Sequence, residues 1–193
     1  MAQRLYNWMM GMAVHAKAPH ALFCIAFVES SVFPIPPDVM LIPMVLAQRS
    51  KAWVYATICT VGSVIGGMAG YAIGYYLFEY VGEPILNLYG YGQKYAEIRA
   101  LFDTWGPWIL IAKGWTPFPY TVLTIAAGVF KMSVGPFILA SIVARAMRFY
   151  LVAGLLYWFG EPIRDFIEQR LTLLTTAFVV LLVGGLLAIR YVF

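Results

Sequence analysis

Five charged side chains stand in stretches that are otherwise apolar: Glu29, Asp38, Lys113, Arg145 and Arg148. Isolated charges in such surroundings are costly, so the natural arrangement is for them to face one another in a shared polar chamber. Guanidinium forks match phosphate oxygens, which suits Arg145 and Arg148 to an anionic headgroup. Their three-residue spacing puts both on one helix face. Glu29 and Asp38 would repel a phosphate while ionised, so their expected use is to take up and release a proton. Together the set could run an exchange. A proton on a carboxylate frees an arginine for the anion, and loss of that proton restores the internal ion pair and expels the anion.

The elements that position these groups announce themselves by proline. Pro34, Pro36 and Pro37 lie between the two carboxylates. Each removes an amide donor and clashes with the preceding turn, so the helix must break there. Broken backbone at membrane depth is tolerated only inside protein or beside a water-filled cavity. A second stretch repeats the outline, Lys113-Gly-Trp-Thr-Pro117-Phe-Pro119-Tyr-Thr121. Laying Pro34-Ile-Pro36 over Pro117-Phe-Pro119 places Glu29 near Lys113 and Asp38 on Thr121. An apolar run follows each break, 39–47 and 122–129. Paired proline-interrupted segments in two halves of a chain point to a binding site at the membrane midplane.

Of the 193 residues, 62% are hydrophobic and 11% charged, against roughly 25% charged in soluble domains. The chain therefore reads as one integral membrane domain over 1–193. Residues 1–18 suit an amphipathic helix on the headgroups. Residues 20–48 form the first re-entrant hairpin, and 52–78 a transmembrane helix. In that helix Gly62, Gly66, Gly70 and Gly74 recur every fourth position, a stripe that lets another backbone approach closely. Residues 79–104 are a polar connection in which 95–102 suits a surface helix. The second hairpin covers 105–130, and transmembrane helices cover 133–159 and 171–190. One full span separates the hairpins, so they should enter from opposite faces and meet near the midplane. The expected fold is all-α, two opposed re-entrant hairpins of inverted-repeat character with about three full spans. Arg49 and Lys51 place their loop on the cytoplasmic side.

Other classes are disfavoured. The net charge of +4 is spread over loops, which suits a membrane surface rather than nucleic acid. Cys24 and Cys59 read as free buried thiols, and His15 and His20 show no ligand pattern, so neither metal nor cofactor is expected. There is no nucleophile elbow and no phosphate-cradling glycine loop, and an enzyme is not expected. No cleavable signal pattern is evident at the N-terminus. A proton-coupled exporter of small cations or drugs, and a non-transporting membrane assembly factor, stand as competing expectations.

In particular motifs the chain resembles the DedA family, whose shared region is also called the VTT or SNARE-associated domain, and most of all its short YqaA-like branch. The matching pieces are Phe27-Val-Glu29 leading to Pro34-Ile-Pro-Pro-Asp38, the helix Gly66-Gly-Met-Ala-Gly70-Tyr71-Ala-Ile-Gly74, the run from Pro117-Phe-Pro-Tyr to Ala127-Gly128, and Ala144-Arg145-Ala-Met-Arg148-Phe149. They cover roughly 20–160. The resemblance implies a multi-pass protein of the bacterial inner membrane that moves lipid between leaflets. The implied cargo is undecaprenyl phosphate or a phospholipid, and proton-motive force is implicated. Its partners would be a membrane lipid with an anionic phosphate headgroup and protons, with room for a homo-oligomer. The family's acidic pair maps onto Glu29 and Asp38. The chain departs from the pattern where many members have Asp at Gly67 and Arg at Tyr75. It also departs at the second break, where many have two flanking Arg. Here Lys113 precedes the break and Thr121 follows it, so one basic group is absent.

Overall fold

The structure, a computed structural model, describes residues 15, 17–33, 35–82, 84, 92–114, 119–160 and 162. Most of the expected N-terminal helix, Pro34, Pro117 and the expected last span at 171–190 lie outside them. Within the described residues the chain is helical and has no strand. In order come α1 (Ala18–Ser31), α2 (Asp38–Ala47), a 3₁₀ turn (Arg49–Lys51), α3 (Ala52–Leu77) with a π turn (Phe78–Gly82), α4 (Gly92–Gly114) and α5 (Tyr120–Val129). A final helix, α6, covers Val134–Gly160.

Arg49–Tyr80 and Val134–Gly160 are long and apolar enough to cross a bilayer, with mean hydropathy 1.5 and 1.6. By contrast α2 and α5 have 10 residues each. At 1.5 Å per residue that is about 15 Å, half of a hydrocarbon core of about 30 Å. Both begin directly after a proline, Pro37 and Pro119. Proline fixes φ in the helical range and its missing donor costs nothing in a first turn, so it starts these helices as readily as it ends the ones before.

The glycine helix α3 is the spine. Phe23, Phe27 and Ser30 of α1 meet Gly62, Gly66 and Gly70 in turn, so α1 and α3 run in the same direction. A side chain at Gly66 would strike the Phe27 carbonyl, and one at Gly70 would strike the Thr124 hydroxyl. Farther along, Gly74 lies against the Ile125 backbone, and Gly128 of α5 against Tyr71 and Tyr75. One stripe thus serves α1 along its first half and α5 along its second. α6 runs the other way: Thr57 bonds Tyr150, while Tyr71 donates to the Met132 carbonyl at 2.6 Å.

Two apolar cores result. One gathers Leu22, Ala26, Leu41, Met44, Tyr55, Cys59, Phe149 and Leu156. The other gathers Leu110, Tyr120, Leu123, Ala127, Met132 and Phe137. Along α3 and α6 the buried polar residues Ser63, Ser141 and Arg145 fall between them. Each broken segment has its own core, and the polar groups occupy the seam.

Two expectations need correction. The arm before the second break starts at Gly92, not 105, and 95–102 is its first half rather than a separate surface helix. No proline or glycine interrupts the chain between Gly92 and Gly106, and Pro107 is carried inside the helix. Cys24 is exposed, while Cys59 is buried. Position 24 falls on the opposite side of α1 from Leu22, Ala26 and Glu29, which face inward.

The backbone contacts at the stripe lead to a stability prediction. Gly66→Ala and Gly128→Ala should each lower the thermal stability of the detergent-purified protein, by about 1–3 kcal/mol for an overpacked contact. Gly135→Ala, whose added methyl meets nothing within 4 Å, should not. Equal melting temperatures for all three variants would refute the close-approach account.

Candidate functional site

The end of α1, the start of α2, the start of α5 and the middle of α6 converge on one charge cluster. Arg145 is fully buried and Glu29 is 6% exposed. Arg145 Nη2 donates to Glu29 Oε2 at 2.6 Å. On the next turn of α6, Arg148 Nη2 donates to Asp38 Oδ2 at 2.5 Å, with the two side chains 20% and 21% exposed. Both carboxylates of the first broken segment are thus held by the two arginines of one helix face. Asp38 also sits in the first turn of α2, where a negative charge complements the helix dipole.

Hydroxyl groups complete the surroundings. Ser30 Oγ donates to Glu29 Oε2 at 2.9 Å and also lies 2.5 Å from Ser63 Oγ. The break at Pro34–Pro37 leaves the last carbonyls of α1 without intrahelical donors. Thr121 of α5 donates to the Glu29 carbonyl, and Thr124 donates to that of Ser30 at 2.9 Å. The second broken segment therefore caps the first. Tyr120, the first residue of α5, turns its ring beneath the guanidinium of Arg145, 4.7 Å from ring centroid to Cζ, and Phe149 lies 4.6 Å away.

Donor capacity is left over. Among the described residues, Arg145 Nε and Nη1 and Asp38 Oδ1 are buried with no hydrogen-bond partner. A guanidinium carries five N–H donors and accepts nothing. The site can therefore still bind an acceptor-rich group such as an oxyanion.

The structure brings Glu29, Asp38, Arg145 and Arg148 together. Lys113, expected among the buried charges, is instead exposed in the last turn of α4. Its butyl stem lets an ammonium reach a polar surface at little cost, which a guanidinium fixed between two rings cannot do. Pro36, Pro37 and Pro119 flank the cluster. Ser30, Ser63, Tyr120, Thr121 and Thr124 were not expected in the site as binding groups. A proline-adjacent tyrosine or a helical threonine is ordinary in apolar segments, and only the proline alignment, which set Thr121 on Asp38, hinted at one of them. No cluster of three or more His, Cys, Asp or Glu capable of holding a metal occurs among the described residues.

Unequal burial ranks the two ion pairs. Removing one partner of a fully buried pair costs about 3–5 kcal/mol, and the cost falls as the pair becomes less buried. Glu29→Ala should therefore lower thermal stability markedly more than Asp38→Ala. Replacing both partners in Glu29→Gln/Arg145→Met should recover much of the loss. If Asp38→Ala is the more damaging change, the ranking fails.

The VTT domain matches residues 35–158, which includes α2 through α6 and therefore Asp38, Arg145 and Arg148. The chain is 38% identical over 179 residues to an uncharacterized protein of Haemophilus influenzae, 93% of each chain. It is 34% identical over 186 residues to a Histophilus somni protein, 96% of this chain and 97% of that one. A 24% identity over 144 residues links it to the inner membrane protein YqaA of Escherichia coli, 72% of this chain and 94% of that one. No solved structure gives a significant match. By its VTT domain and its relatives, the chain belongs to the DedA family of membrane proteins, a family linked to membrane transport and lipid-related function.

Proposed function

We propose that the protein is a multi-pass protein of the bacterial inner membrane that carries a phosphate-bearing lipid between leaflets, in the manner of a flippase or scramblase. Undecaprenyl phosphate or a phospholipid would be the cargo, moved without making or breaking a covalent bond. The observation that carries the reading is Arg145, fully buried, with Nη2 on Glu29 and two further nitrogens without partners. A buried guanidinium with spare donors suits an oxyanion better than any neutral or cationic ligand.

The hairpin reading adds a path. α2 and α5 are too short to span, and their breaks meet the middle of α3. Ser30, just before the first break, lies beside Gly70, and Tyr120, just after the second, lies beside Gly67. Two hairpins entering from opposite faces would place the charge cluster near the midplane, reachable from either side as one or the other yields. Residue Glu29 serves as the proton exchanger. Protonation releases Nη2 for the headgroup; deprotonation restores the pair and expels it.

The cation-exporter reading is weaker for a specific reason. Among the described residues the buried groups left without partners are two nitrogens of Arg145 against one oxygen of Asp38, so the cluster offers an anion more than it offers a cation.

Reconstitution decides the matter. Liposomes carrying the purified protein and a labelled lipid phosphate should show leaflet exchange that responds to a pH gradient. Arg145→Ala should reduce it to the protein-free rate. Failure of the wild-type protein to speed exchange at any gradient would sink the proposal, and loss on Glu29→Gln with Arg145→Ala intact would favour the cation exporter.

A further inference from the structure

Arg145 is held by aromatic rings as well as by its ion pair. Cation–π attraction draws a guanidinium to the face of an aromatic ring without needing a hydrogen-bond acceptor. The rings of Tyr120 and Phe149, 4.7 and 4.6 Å from Cζ, hold the group while offering its N–H donors no oxygen or nitrogen acceptor. Hydrogen-bonded side chains could have held it equally well but would have spent those donors. Only Nη2 is engaged, by Glu29, and Nε and Nη1 have no partner among the described residues.

The Tyr120 ring is itself closely located. Its hydroxyl donates to Ser141 Oγ at 2.7 Å. Ser141 lies four residues before Arg145 on α6, hence on the same face. The ring is thus referenced to the helix that carries the guanidinium. Its edges fit against two glycines: an added Cβ would sit 3.5 Å from Cε1 at Gly67 and 3.3 Å from Cε2 at Gly114. Tyr120 so touches α3, α4 and α6 while opening α5, directly after the second break.

We propose that Tyr120 is a positioning residue that holds the Arg145 plane from the α5 side, keeping Nε and Nη1 available for the phosphate oxygens of the lipid. The proposal rests on the lipid-phosphate reading for its ligand but not for its geometry. Coupling between the hairpins follows from it: a movement of α5 would turn the ring and with it the plane that the substrate must meet.

Two measurements on the full chain test this separately from the transport reading. In detergent, with ¹⁵N-arginine labelling and Arg145→Lys for assignment, the Arg145 Nε–H proton should be shifted upfield by the flanking rings. Tyr120→Leu should return it most of the way to the ordinary position, while Tyr120→Phe, which keeps the ring, should leave most of the shift. In liposomes of phosphatidylethanolamine and phosphatidylglycerol with chain-labelled phosphatidic acid, Tyr120→Leu should raise KM about tenfold with a smaller effect on kcat, the size expected for loss of one desolvated cation–π contact. Tyr120→Phe should raise it less. An Nε–H shift unchanged in Tyr120→Leu overturns the proposal, as does an equal loss in Leu and Phe variants. If Tyr120→Leu does not fold, Ser141→Ala takes its place: it should broaden or move the Nε–H signal, and an unaltered signal overturns the proposal. Wild-type protein that moves no lipid would defeat the transport reading while the spectra still judged the role of Tyr120.

Discussion

A guanidinium buried at the middle of an apolar helix constrains everything around it. Arg145 has no exposure, and bare burial of such a charge would be prohibitive. Glu29 must therefore be present, and must arrive from elsewhere in the chain. Glu29 reaches it from the inward face of α1, in that helix's last turn. The prolines at 34, 36 and 37 end α1 there. That ending strands carbonyls, which Thr121 and Thr124 then satisfy from the second break. The carboxylate of Glu29 thus holds α6, while its own carbonyl, freed by the break, is held by α5. The two halves cannot be altered independently at this point.

Close approach makes the arrangement reachable. Side chains at Gly66, Gly70 or Gly74 would hold α1 and α5 away from α3. Within hydrocarbon there is little hydrophobic gain on helix association, so packing contacts and interhelical hydrogen bonds carry it. Glycine on α3 converts that weak preference into backbone-to-backbone contact. The same contact brings the Ser30–Ser63 pair within 2.5 Å. The polar seam between the two apolar cores is a product of the stripe.

What the sequence discloses follows from contrast with its background. Glu29, Asp38, Arg145 and Arg148 stand out because charge is rare in apolar segments, and the structure pairs them. The glycine stripe is visible through its period of four. Helix ends are visible at 31, 38 and 120 because proline marks them, while the continuity of α4 is hidden because Gly106 and Pro107 stand inside it. Lys113 joins the same set on sequence, as a charge in an apolar stretch that the alignment of the two breaks sets near Glu29. Alignment along the chain carries no record of which way a helix face turns, and the face at 113 points outward. Tyr120, Thr121, Thr124, Ser30 and Ser63 could not be singled out for the opposite reason: they are common residues whose role depends on contacts many positions away.

The neutral contribution of the second break bears on energy coupling. Where the family pattern leads one to expect another basic group, this chain has Thr121, whose hydroxyl caps α1 instead of adding charge. The cluster then balances: two carboxylates, Glu29 and Asp38, against two guanidiniums, Arg145 and Arg148. On the transport reading, a headgroup bearing one negative charge would leave this chamber one charge out of balance. In a medium that penalises net charge so heavily, the deficit is most cheaply met by one proton on a carboxylate. Glu29 is the carboxylate whose release frees Arg145, so neutralisation and binding are the same event. A further fixed arginine at position 121 would have neutralised the headgroup by itself and removed the need for that proton. On that reading Thr121 leaves the compensating positive charge to a proton, where an arginine at that position would have supplied it.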